Sequence, residues 1–135
     1  MNSLLSDFHE PSFQLGMIEA FCEMVARGVK PLALSPVIEP RDWPPLREPS
    51  DEIAKRFGVC SYVERGLIPT YLAPEDETDG KIIVMYYKKR RALDAYLALK
   101  ADIARLVQAG DYGDAEKRAA TARFENILGY REEQA

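Results

Sequence analysis

Thr78-Asp79-Gly80-Lys81-Ile82-Ile83-Val84-Met85-Tyr86-Tyr87-Lys88-Lys89 can be built in two ways, because its six central residues are apolar on every side. Read as helix, it opens one long element from Gly80 to Ala109. At about 100° per residue, Ile82, Met85, Ala92, Ile103 and Val107 fall within about 40° of Tyr96, while Arg91, Asp94 and Arg105 face water. Lys89 and Lys100 then lie on the same apolar face, where an ammonium needs an anion or a route to water. Read as strand, the β-branched and aromatic run follows a Thr-Asp-Gly turn signal and needs a partner, for which residues 29–34 are the candidate. The helix would then begin near Lys88, with Lys89 in its first turn. Lys100 stays inside the helix on either reading.

C-terminal to this segment, Gly110 can close the long helix and Asp111 can cap another running through Phe124 and Leu128 to Gly129. The short link predicts an antiparallel hairpin. Gly110-Asp111-Tyr112-Gly113-Asp114-Ala115 resembles the turn of a tetratricopeptide repeat, but it occurs once, and such repeats need neighbours. On the N-terminal side, Ser12 to Arg27 reads as a helix ended by Gly28 and Pro31. Glu19, Glu23 and Arg27 form one narrow polar strip, and the rest of the circumference is largely apolar, as in a central helix or one shared between subunits.

Six of the nine prolines fall at positions 31, 36, 40, 44, 45 and 49, so residues 31–49 are expected to wrap the surface as an irregular loop, with Trp43 gripping the core or a ligand. Ser50 would cap a short helix toward Phe57, and a second would follow near Ser61 to Gly66. The acidic run Glu75, Asp76, Glu77 and Asp79 reads as a solvated turn, with Asp79 able to cap the long helix.

Residues 50–69 also carry a local motif. Ala54 and Gly58, with Ile53, Phe57 and Val59, resemble the first helix and tight turn of a helix-turn-helix, and Tyr62-Val63-Glu64-Arg65-Gly66-Leu67-Ile68-Pro69 is similar to the end of the recognition helix in MerR-type regulators. The resemblance implies a DNA-binding regulator. A recognition helix this short, carrying Glu64, is poorly equipped to read a major groove.

The chain is 135 residues long with a formal charge of −4 and 47% hydrophobic content. That suits a single domain (residues 1–135, with 1–11 mobile) able to bury a core, and supplies no global attraction to nucleic acid. Cys22 and Cys60 form no framework, which favours a cytoplasmic location. No membrane span, metal site or cofactor is expected. His9 is the only histidine, so a Cys-His dyad or a serine triad would have to run through it, and no catalytic motif is found.

These readings combine into a mainly α fold, a small helical bundle built on the C-terminal hairpin, or alternatively an α+β fold with one two-stranded element, residues 29–34 and 81–87. The expected function is a small interaction or ligand-binding domain acting as a homodimer. The alternatives are the helix-turn-helix regulator and an anionic-ligand binder or enzyme with its site under the 31–49 loop. The candidate binding residues are Trp43, Tyr86, Lys89, Tyr96 and Lys100. Glu19 and Glu23 are candidate structural ion-pair partners for the two lysines.

Overall fold

The computed structural model describes residues 11–130, so the expectations for His9 and for mobility before Pro11 lie outside the described residues. The elements are α1 (Pro11–Ala26), β1 (Leu32–Leu34), α2 (Trp43–Phe57), β2 (Cys60–Glu64), the single turn α3 (Glu75–Thr78), β3 (Ile83–Tyr87), α4 (Arg90–Gln108) and α5 (Asp114–Ile127). The architecture is mainly helical with a small antiparallel sheet of order β1-β3-β2.

The long-helix reading of Gly80 to Ala109 is corrected. Ile83 to Tyr87 is the central strand, buried at every residue, and α4 begins only at Arg90. A strand covered on both faces has no polar side to show, which is why the run is apolar throughout and carries neither a helical nor an alternating period. The pleat divides its side chains. Val84 and Tyr86 enter a core with Ile18, Cys22 and Val25 of α1 and Leu46 and Ile53 of α2. Met85 and Tyr87 enter a second core with Leu93, Tyr96 and Leu99 of α4 and Phe124 of α5. The sheet therefore lies between two helical layers.

Its partner is the one the alternative reading named: Leu32, Ala33 and Leu34 pair with Tyr87, Tyr86 and Met85. The element is larger than the expected two strands, because Cys60 to Glu64 pair with Tyr87 to Ile83 on the other side. The second helix expected near Ser61 to Gly66 is thus a strand, and the helix-turn-helix reading of residues 50–69 loses its recognition helix. The first half of that motif does form, with α2 ending at Gly58 in the left-handed conformation at φ 71°. Beyond it, Tyr62 and Val63 gain more from pairing with the buried β3 than a two-turn surface helix could offer.

The 31–49 loop is also shorter than the proline count implies. After β1 and a 3₁₀ turn at Pro40–Asp42, the chain is helical from Trp43. Pro44 and Pro45 occupy the first turn, where amide hydrogens have no intrahelical acceptor, so nothing is lost. Pro49 lies inside the helix and forfeits one bond. Ser50 is not a cap but a buried helical residue whose hydroxyl donates to the Arg47 carbonyl at 2.9 Å. Trp43, Leu46 and Ile53 anchor α2 in the first core.

Helix ends follow the sequence more closely. Gly28 at φ 77° closes α1, with its amide on the Val25 carbonyl and the Val29 amide on the Met24 carbonyl. Gly110 at φ 76° follows α4. Asp111 does not cap α5; Gly113 stands there, its amide donating to Glu116 Oε1 at 3.1 Å. Asp79 follows α3 and caps no long helix. Tyr96 and Phe124 pack with ring centroids 5.8 Å apart, joining α4 to α5.

One side chain completes the sheet. Past the end of β1, the Ser35 amide donates to the Val84 carbonyl at 2.8 Å, and the Val84 amide donates to Ser35 Oγ at 2.9 Å. Ser35→Ala leaves that buried amide without an acceptor, so denaturant unfolding should show a loss of about 1–3 kcal/mol, with faster hydrogen exchange at Val84.

Candidate functional site

Lys89 and Lys100 share no site: the first precedes α4, the second sits past its middle, and they line different cavities. Lys89 is the N-cap residue of α4, with extended backbone at φ −105° and ψ 128° and no capping hydrogen bond from its side chain. A lysine has no acceptor to offer the orphan amides of a first turn. No acid occupies that turn, which instead opens with Arg90 and Arg91. Cations at the positive end of a helix dipole are unfavourably placed.

A cavity of about 210 Å³ opens beside this turn. Lys88, Lys89, Arg91 and Ala92 contribute one wall, and Val25 of α1 with Gly28, Lys30 and Pro31 of the α1–β1 connection contributes the other. Among the described residues, eight line it, of which four are cationic and none is acidic, in a chain whose net charge is −4. Lys88 Nζ donates to the Ala26 carbonyl at 3.4 Å, and Lys30 Nζ lies 4.2 Å from the Tyr130 ring centroid. Arg90, which does not line the cavity, pairs with Asp94 at 3.0 Å. Among the described residues, Lys89 and Arg91 pair with no acid.

Lys100 has a counter-charge, and it is Glu64. The ammonium donates to both carboxylate oxygens at 2.8 Å. Tyr96 Oη donates to Glu64 Oε2 at 2.6 Å, and the Gly66 amide donates to Oε1 at 3.0 Å. Strand pleat explains the meeting. Glu64 pairs with Ile83, two residues along from Met85 and four from Tyr87, and so shares their side of the sheet, the side that α4 covers. Tyr96 and Lys100 are one helical turn apart on α4. Burial alone would push the Glu64 carboxyl up, but the hydrogen bonds from Lys100, Tyr96 and Gly66, with the Lys100 charge, outweigh it and hold the group below the usual glutamate range. Burial, reinforced by the Glu64 carboxylate, pushes the Tyr96 phenol up.

The expected pairing of the two lysines with Glu19 and Glu23 does not form. Glu19 meets Arg56 of α2 and Glu23 meets Arg27, each at 3.1 Å on the surface, where such pairs contribute little. Tyr86 and Trp43 both belong to the α1–α2 core, where Tyr86 is fully buried. Cys22 is buried there too, its thiol pushed up to about 12 by burial and the nearby Glu19 charge, while Cys60 is exposed. That thiol is inert. With residues 61–66 read as a helix, Glu64 has no route to Lys100; only on a strand does it share a face with Cys60 and Tyr62 toward α4.

Among the described residues, no group of three or more His, Cys, Asp or Glu side chains gathers to hold a metal, and no helix is long and apolar enough to cross a membrane. Compared with known proteins, the chain matches no family model, no curated sequence and no solved structure.

Because Glu64 is held below its unfolded-state range, near 4.5, its contribution is fully present above that pH and disappears as pH falls through the lower folded value. Glu64→Gln should cost about 2 kcal/mol at neutral pH. The gap between wild type and variant should close below about pH 4.5, measured by urea unfolding across an acid series.

Proposed function

We propose that the protein is a single-domain binder of small anions, and that the cavity between the α1–β1 connection and the start of α4 receives a phosphate group. One observation carries this reading: α4 opens on Lys89-Arg90-Arg91 with no capping side chain, beside a cavity that, among the described residues, four cations and no acid line. Serine, threonine or aspartate at position 89 would satisfy an amide and suit the dipole, so lysine there is a local sacrifice of stability. A bound anion reverses the balance, because it brings the charge and acceptors that the helix end lacks. The cavity's volume of about 210 Å³ suits a phosphate or small phosphomonoester rather than a nucleic-acid backbone. Arg91 can supply a planar pair of donors, with Lys89 and Lys88 as point charges. Free Cys22 and Cys60 support a reducing compartment such as the cytoplasm.

Lys89→Asp tests this in one variant. It should raise the melting temperature of the free protein, by the equivalent of about 1 kcal/mol, and abolish the thermal shift produced by inorganic phosphate or a phosphomonoester. A ligand at 100 times its dissociation constant adds about 2.7 kcal/mol to the wild type. A phosphate shift that survives in Lys89→Asp, or one absent from the wild type, sinks the proposal.

A second reading, the homodimer, rests on the outer face of α1. Met24 remains 39% exposed there, and Met17, Ala20 and Met24 follow at i, i+3 and i+7 on one side of the helix. Two copies of that face would bury an apolar stripe in an isologous contact. Light scattering should then give twice the monomer mass at tens of micromolar, and Met24→Glu should return it to the monomer value.

A further inference from the structure

A second cavity, of about 380 Å³, runs along the later half of α4. Its walls are largely apolar, with Ile68, Pro69, Ile103, Ala104 and Val107, and Lys100 and Glu75 provide its charges. The volume falls in the range of small-molecule sites. It is separate from the phosphate cavity, whose walls come from the opposite end of α4.

The chemistry of its ligand follows from counting donors and charges. Glu64 is 3% exposed and saturated by Lys100, Tyr96 and the Gly66 amide. Lys100 is not saturated: an ammonium has three hydrogens, Glu64 takes two, and the side chain remains 38% exposed at the cavity. The site is not electropositive despite its lysine. Glu64 cancels Lys100, and Glu75 on the opposite wall adds a further negative charge. A carboxylate or phosphate would meet net repulsion, whereas an uncharged carbonyl oxygen would accept the third hydrogen without cost. Burying the Glu64 carboxylate is an expensive way to join β2 to α4, since apolar residues of similar volume commonly do so as well or better. It makes sense as a device that holds one oriented N–H against an apolar surface.

We infer that this cavity binds a neutral, largely apolar molecule through an amide, ester or ketone oxygen seated on Lys100. Titration of the full chain with hexanamide, hexanoate and hexylamine, followed by amide NMR, distinguishes the head groups on one apolar body. Hexanamide should give saturable millimolar shifts at Gly66, Ile68 and Ala104, with hexanoate at least about tenfold weaker. Lys100→Met should weaken hexanamide about tenfold and remove its advantage over the other two. Ala104→Leu, which fills the cavity from an exposed helical position outside the ion pair, should abolish the shifts while the spectrum stays folded. Equal or tighter binding of hexanoate or hexylamine overturns the inference, as does unchanged hexanamide binding in Ala104→Leu, or the absence of saturable shifts with any probe. Inorganic phosphate supplies the independent control: loss of its effect in Lys89→Asp bears on the other cavity alone.

Discussion

Burial of Ile83 to Tyr87 on both faces is the constraint on which the remaining structure depends. A strand inside a protein must find acceptors and donors along both edges, because an unpaired buried peptide group costs as much as a lost hydrogen bond. β1 and Ser35 satisfy one edge and β2 satisfies the other. Each face then needs its own apolar cover, which α1 and α2 provide on one side and α4 and α5 on the other. Neither helical layer could form its core without the strand, since each core takes alternate side chains from the same five residues.

The strand also sets the geometry of both cavities. It runs directly into the start of α4 through Lys88 and Lys89, which places that uncapped first turn against the α1–β1 connection. Its register with β2 carries Glu64 to the face covered by α4, within reach of Tyr96 and Lys100. A slip of one residue in that register would send Glu64 to the opposite face and leave Lys100 without a counter-charge. The two ends of α4 consequently differ in kind. Among the described residues, four cations and no acid line one cavity, whereas at the other Glu64 cancels Lys100 and Glu75 is left as a negative charge.

What could be read from the chain alone was local. Gly28 and Gly110 mark helix ends because a left-handed residue is cheapest as glycine, and the apolar α1 and the last two helices follow from periodicity and these terminators. Pairing of residues 29–34 with 81–87 was available as an alternative because the run 82–87 is rich in strand formers. Proline misled in the other direction: Pro44 and Pro45 look like helix breakers by count, yet in a first turn they break nothing. β2 was hidden because its preceding helix and glycine turn also suit a helix-turn-helix, and a five-residue strand carries too little alternation to contest that spacing.

The sequence by itself determined that Lys100 lies in a helix beside apolar neighbours and needs an anion or water, because helical spacing and the cost of burying a charge are local matters. It likewise determined that residues 82–87 are apolar on every side. Only the tertiary structure decided which anion answers Lys100, and it chose Glu64 over Glu19 and Glu23, since a contact across 36 positions depends on sheet register and layer order. It also moved Lys89 out of the seam to the head of α4, where its lack of a partner has a different physical meaning.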